Sequence, residues 1–251
     1  MLRALRDEAA GDAIGHRERG SLLHACLAVA HEAIVPYLGS KPSDELERLA
    51  LDAARAYLER RGQGALRRAG LATALADVSA VINWSLNEGS GLRFLEAERA
   101  FGKGQPWSPL AVGEHFVSGR IDRIDRSSDG KRLRVLDYKT GKPPTRPEME
   151  QDLLQPWLYA AKVAAEHGVG EVSAGYLALR DRTPRLHPSA DAAPHSELVA
   201  RARERAERAL SRLTSGAIEP KPSHARLCVR CDARDLCRRP LSAPLNEEDD
   251  G

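Results

Sequence analysis

The sequence has no apolar run approaching the roughly 20 residues that a membrane-crossing helix needs. Residues 1–18 are charged and carry no apolar signal core. Both absences point to a cytoplasmic protein with no membrane partner. There is no Gly-x-x-x-x-Gly-Lys-[Ser/Thr], so no ATP-driven motor is encoded here, and there is no internal repeat. Aromatic residues make up only 4% of the chain, and the net charge is only +2 at pH 7, so overall charge does not announce a nucleic-acid partner. Local charge says more. Residues 180–185 and 201–212 are rich in arginine, although the glutamates interleaved in the second stretch read as a solvated helix face laced with i,i+4 pairs. Cysteines number four, and three of them (Cys228, Cys231 and Cys237) fall in one short segment near Pro220 and Pro222. Clustered thiols without a secretory signal favour a metal over disulfides.

What is present is a pair of short, charged, strand-like segments. Gly119-Arg120-Ile121-Asp122-Arg123-Ile124-Asp125 is followed by Val135-Leu136-Asp137-Tyr138-Lys139-Thr140-Gly141-Lys142. Between them lies Asp129-Gly130, a strong hairpin-turn signal. A hairpin centred there sets position 122 opposite a residue near 137, about 5 Å away between Cα atoms. Two carboxylates so close repel each other unless a cation lies between them. Asp137 and Lys139 are two residues apart and leave one face of their strand. Two acids and an ammonium at adjacent strand ends suit Mg²⁺-assisted phosphodiester hydrolysis: magnesium takes hard oxygen ligands, and the lysine can orient water or offset charge on phosphate. Asp125, three residues from Asp122, is expected on the opposite face, away from the metal. Glu98, on a strand ahead of the hairpin, could approach the site, although it reads rather as a solvated strand carboxylate.

Further residues have their own local reading. Ser21 to Ala30 forms a helical pattern capped by Ser21 or Gly20, which puts His24 in the first turn. Gln155 and Tyr159 are i and i+4 on a helix expected over residues 148–167, so they share a face.

Taken together, these segments resemble the RecB/AddB-type nucleases of the PD-(D/E)XK superfamily. Three further matches follow in the family's order. Arg19-Gly20-Ser21-Leu22-Leu23-His24 resembles a helix start whose histidine ligates metal. Gln155-Pro156-Trp157-Leu158-Tyr159 resembles a Gln-x-x-x-Tyr signature. Cys228-x-x-Cys231-x-x-x-x-x-Cys237 resembles the cysteine triplet of the iron–sulfur members. The resemblance implies that His24, Asp122 and Asp137 ligate Mg²⁺ or Mn²⁺, with a backbone carbonyl of Val135 or Tyr138 completing the shell. It makes Lys139 the catalytic lysine and places Gln155 and Tyr159 beside the site or against DNA. It also implies a [4Fe–4S] cluster, which takes four cysteines where the triplet supplies three. No cysteine lies upstream of His24, where the iron–sulfur members have one. Cys26 is the remaining candidate for a fourth ligand, against its reading as a small buried core residue. The triplet itself reads as iron–sulfur, as zinc or as a solvated remnant.

The expected architecture is α/β: a mixed central sheet flanked by helices, a restriction-endonuclease-like core with a helical N-terminal region and a cysteine-containing C-terminal loop. Helices are expected over 20–36, 43–60, 65–88, 148–167 and 195–214, and strands over 92–100, 112–126, 132–139, 171–180 and 185–187. Residues 1–220 would form the nuclease core with a helical insertion at about 43–90, 221–240 a metal-binding tail, and 241–251 a disordered end. The expected function is a metal-dependent DNA exonuclease of repair or recombination, acting on single strands or duplex ends beside a helicase supplied by another chain. The rival expectation is a catalytically silent DNA-binding or scaffold subunit that keeps the fold.

Overall fold

The computed structural model describes residues 16–60, 65–141, 144–145, 148, 153–179, 183–187, 195–217 and 228. Three helices come first: α1 (His16–Ile34), α2 (Ser43–Glu59) and α3 (Ala65–Asn87). Strand β1 (Leu92–Phe101), a small hairpin of β2 (Leu110–Val112) and β3 (His115–Val117), and strands β4 (Gly119–Ser127) and β5 (Arg132–Lys139) follow. Helix α4 (Gln155–His167), β6 (Glu171–Ala178), β7 (Arg185–His187) and α5 (His195–Thr214) complete the order. The main sheet runs β1-β4-β5-β6-β7, antiparallel throughout except for the parallel pair β5 and β6. That parallel pair requires a crossover, and α4 provides it. The result is the expected mixed sheet between helical layers.

Three elements differ from expectation. Helix α1 begins at His16, so His24 lies well inside it rather than in a first turn capped at Ser21. A lone Gly20 is tolerated in a helix whose later turns are held by tertiary packing. The strand expected over 112–126 is broken into a separate hairpin and β4, because Gly113 takes φ +57° and turns the chain between Val112 and His115. Helix α4 begins at Gln155, not near 148, with Pro156 in its first turn, where the missing N–H is least costly.

Two cores lie on the two faces of the sheet. One packs Ile121, Ile124, Leu133 and Val135 against Trp157, Val163 and Leu198 of α4 and α5. The other packs Tyr138 and Leu177 against α1, α2 and α3. Helix α2 buries Leu46, Ala50, Ala54 and Leu58, one side chain per turn, and the small alanines let the helices approach closely. Cys26 is fully buried in this second core beside Leu23 and Leu27, which accords with its core reading.

A chain of buried charge runs through the α1 side. Arg123 has no exposed side-chain surface, and its Nε donates to Asp125 Oδ1 at 2.6 Å. Arg134 donates to Asp125 Oδ2 at 2.6 Å and to Glu88 through both terminal nitrogens. Arg123 Nη1 reaches His31 Nε2 at 2.9 Å and Ser85 Oγ at 2.6 Å. His31 Nδ1 lies 2.8 Å from the Leu27 carbonyl, which can only accept, so Nδ1 carries the proton and Nε2 accepts from Arg123. Burial, and then the charge of Arg123, lower the His31 pKa to about 3; the Leu27 carbonyl and Asp125 oppose this without reversing it.

His31 therefore stays neutral when folded but takes up a proton below about pH 6.5 when unfolded. Its contribution to stability is complete above that pH and declines as pH falls toward 3, by at most about 1.4 kcal/mol per pH unit. In His31→Gln, stability measured by urea unfolding should fall less steeply between pH 6.5 and 4 than in the parent. Asp125→Ala leaves two buried guanidinium groups without their shared carboxylate and should cost about 3–5 kcal/mol in the same measurement.

Candidate metal and catalytic site

The site forms where the sheet opens. The pairing of β4 with β5 ends at Arg123 with Leu136, so Asp122 and Asp137 stand just beyond the paired segment, beside one another as the hairpin geometry required. Asp122 replaces the lost ladder partner: its Oδ2 accepts the backbone N–H of Tyr138 at 3.0 Å. Asp122 Oδ1 lies 3.3 Å from His24 Nδ1 on α1. Glu98, on β1, brings Oε1 to 3.9 Å from the same nitrogen. One ligand atom from each of His24, Glu98 and Asp122 lies within 4.8 Å of the others.

Of the two readings open for Glu98, a solvated strand position and an approach to the site, the structure has the second. Its side chain is only 24% exposed, and its Oε1 is buried with no hydrogen-bond partner. It is also the non-glycine residue held at positive φ, +48°, among the described residues. The register on either side of it, Ala97 with Arg123 and Arg99 with Ile121, sets it across from Asp122, and a shift between Phe94 and Glu96 precedes it. Positive φ costs a residue with a side chain about 1–2 kcal/mol, and such strain gathers where function needs a particular orientation. Sequence alternation along β1 carries no trace of this distortion.

The second half of the site faces α4. Asp137 Oδ1 accepts from Gln155 Nε2 at 3.0 Å, and Oδ2 lies 2.7 Å from Lys139 Nζ. Gln155 Nε2 also reaches Tyr159 Oη at 3.4 Å, so the i,i+4 pair does share a face beside the acids. Lys139 Nζ stands 5.1 Å from the centre of the Tyr176 ring. Gly119 permits this packing: a Cβ there would meet Phe101 at 2.8 Å and Tyr159 at 2.9 Å. Asp137 stands outside the 4.8 Å group, but its charge acts on His24, and it is itself acted on by Asp122.

Burial and like charge dominate the electrostatics of the site. Burial, and then the charge of Asp122, push Asp137 above the usual carboxylate range, against the pull of Lys139 and His24. Burial and Asp122 raise Glu98 in the same way, against Arg120 and His24. For His24, burial opposes the charged ring, but the hydrogen bond and charge of Asp122, aided by Glu98 and Asp137, outweigh it and raise the pKa. Both ring nitrogens face oxygens, Nδ1 toward Asp122 and Nε2 toward the Tyr138 carbonyl at 3.3 Å. Only an imidazolium donates to both. A divalent cation in place of the Nδ1 proton would leave Nε2–H on the carbonyl, the support a ligating histidine ordinarily has. An imidazole and carboxylate oxygens suit Mn²⁺ as well as Mg²⁺.

Asp125 stands apart from this group, in the Arg123–Arg134 network. It does not leave the sheet on a face opposite to Asp122, however, because His24 and His31 of α1 meet Asp122 and Arg123 respectively. Two successive residues of β4, Asp122 and Arg123, thus turn toward the same helix. Cys228 is half-buried, while Cys231 and Cys237 fall outside the described residues, as do residues 241–251.

The family model of the PD-(D/E)XK nuclease superfamily matches residues 2–238. The chain belongs to the PD-(D/E)XK nuclease superfamily. Members of this superfamily are nucleases that use divalent metal ions, and the five-stranded mixed sheet is consistent with their restriction-endonuclease-like fold. No curated protein matches the chain. No described helix is long and apolar enough to cross a membrane. His24, Asp122, Asp137 and Lys139 are assembled around one end of β4 and β5.

Glycine at position 98 would relieve the backbone strain while removing one carboxylate. Glu98→Gly is therefore expected to unfold at a temperature no lower than the parent, yet to bind Mn²⁺ at least about tenfold more weakly by titration calorimetry.

Proposed function

We propose that the protein is a metal-dependent deoxyribonuclease, an exonuclease of RecB/AddB type that acts on single strands or duplex ends. The observation that carries this reading is the convergence of His24, Glu98 and Asp122 within 4.8 Å, next to Asp137 and Lys139. His24, Glu98 and Asp122 would hold Mg²⁺ or Mn²⁺, with Asp137 as the further carboxylate ligand. A divalent ion bound there supplies Lewis acidity, lowering the pKa of water and drawing charge from a phosphoryl oxygen. The chain's own groups do the rest. Lys139, whose side chain is 40% exposed beside the buried Asp137, orients the attacking water and stabilises charge on the phosphate. Gln155 fixes Asp137 through Oδ1, so that Oδ2 stays turned toward Lys139. The water oxygen bonds to phosphorus, the P–O bond to the leaving nucleoside oxygen breaks, and that oxygen takes a proton.

Pairing with a helicase, and with it a place in DNA repair or recombination, rests on the resemblance to RecB/AddB-type nucleases. Cys228, Cys231 and Cys237 would hold an iron–sulfur cluster or zinc in a tail following the nuclease core. The alternative, a silent DNA-binding subunit, is disfavoured because neither acid, nor the histidine, nor the lysine has been replaced.

Cleavage of a single-stranded oligonucleotide with Mn²⁺ tests the proposal. The parent should cleave, EDTA should stop it, and Asp137→Ala and Lys139→Ala should each lower the rate by about 10²–10³-fold. Metal-independent DNA binding with no cleavage by the parent would assign the silent role instead.

A further inference from the structure

Arg120 lies at the mouth of the metal group, and neither the superfamily match nor the acids account for it. Its side chain is 65% exposed, and its Nε stands 3.0 Å from Glu98 Oε2. Glu98 is therefore divided. One oxygen rests on an exposed guanidinium, while the other, buried and without a hydrogen-bond partner, is turned toward His24 and Asp122. Glu98 holds this division at a φ of +48°.

Charge counting shows what the arginine is matched to. Around the opening stand the carboxylates of Glu98, Asp122 and Asp137 and the cations Arg120 and Lys139. With His24 neutral, one negative charge is left over. A divalent cation turns that into one positive charge, which a phosphodiester group cancels. Guanidinium offers a planar fork of donors suited to phosphate oxygens, and Arg120 stands two residues, about 7 Å of strand, from Asp122.

We propose that Arg120 is a phosphate clamp: its Nε keeps Glu98 Oε2 while Oε1 faces the cation group, and its terminal nitrogens, on a side chain 65% exposed, hydrogen-bond a backbone phosphate of the nucleic acid. This rests on the nuclease reading above and extends it to a substrate contact. The competing role is purely supportive, with Arg120 holding Glu98 in place for the metal. The two roles differ in sign. A clamp adds a positive charge beside the cation group, so losing it leaves metal binding as tight or tighter. A support, once lost, weakens metal binding.

The experiment compares the parent, Arg120→Ala and Arg120→Lys in two measurements: Mn²⁺ titration followed by the electron paramagnetic resonance signal of free Mn²⁺, and steady-state cleavage of a single-stranded oligonucleotide. The clamp predicts a Mn²⁺ Kd in Arg120→Ala that is unchanged or several-fold lower. It also predicts a KM for DNA raised by about ten- to a hundredfold, the range of a lost charge-assisted hydrogen bond, with part of the loss recovered in Arg120→Lys. A Mn²⁺ Kd raised tenfold in Arg120→Ala, or a KM that does not change, overturns the clamp and leaves the nuclease reading standing. A parent that neither binds Mn²⁺ nor cleaves overturns both.

Discussion

A guanidinium with no access to water has to be surrounded by partners, and the face of the sheet under α1 is organised by that demand. Arg123 is neutralised by Asp125 on its own strand, Asp125 is shared with Arg134 of β5, and Arg134 is clamped by Glu88 just past the end of α3. Trp84 stands 5.7 Å from the Arg123 guanidinium and 5.3 Å from that of Arg134. His31 closes the network from α1. Removing any one partner strands a charge in a medium that cannot solvate it, so these contacts specify one arrangement of α1, α3, β4 and β5 rather than several. His31 and His24 are seven residues apart, two turns along one face of α1. The helix that Arg123 anchors through His31 is thereby fixed in rotation, and the same rotation presents His24 to Asp122.

The metal group follows from what happens next along β4. The ladder with β5 stops after Arg123, and the separating strands would leave the Tyr138 N–H without an acceptor. The Asp122 carboxylate supplies one with Oδ2 and presents Oδ1 to His24. One side chain thus completes the backbone accounting of an opened sheet and joins the His24–Glu98 group proposed to hold the ion. Carboxylates brought together in this way are unfavourable to one another: burial first, and then the charge of Asp122, raises the pKa of both Glu98 and Asp137. Strain at Glu98 adds to the cost. Local rules broken together at one place are what a functional site leaves behind in an otherwise consistent fold.

Much of this was legible in the residues. Asp129-Gly130 set the turn, the turn set Asp122 beside Asp137, and the i,i+2 spacing set Lys139 next to Asp137. Alanine-rich helical periods gave the three N-terminal helices nearly to their ends. Glu98 was only half legible: its strand position allowed an approach to the site, but the turn of its carboxylate inward depends on a backbone distortion rather than on its neighbours in sequence. The buried network was hidden for a related reason: the partners of Arg123 and Arg134 lie far away at His31, Ser85 and Glu88, so their charges read as solvated strand positions. One signal did exist. Ile121 and Ile124 are both fully buried in the same core although three residues apart, which a regular two-residue alternation cannot achieve. A strand carrying apolar residues at that spacing, flanked by ionisable ones, already implies an irregularity between them.

The two halves of the site are secured differently, and that difference matches the tasks assigned to them. His24 and Asp122 are tied to a buried charge network and to a backbone amide, contacts that water cannot easily displace. Lys139 is half out in solvent, and Gln155 reaches Asp137 from the first residue of α4, where a helix frays most readily. A divalent ion needs ligands that are already in position, since each one that must be ordered on binding reduces affinity. Water and a phosphate in motion through a reaction need partners that can follow them. The rigid half therefore suits the ion and the compliant half suits the chemistry, with Asp137 joining them through the charge it shares with Asp122 and the ammonium it holds.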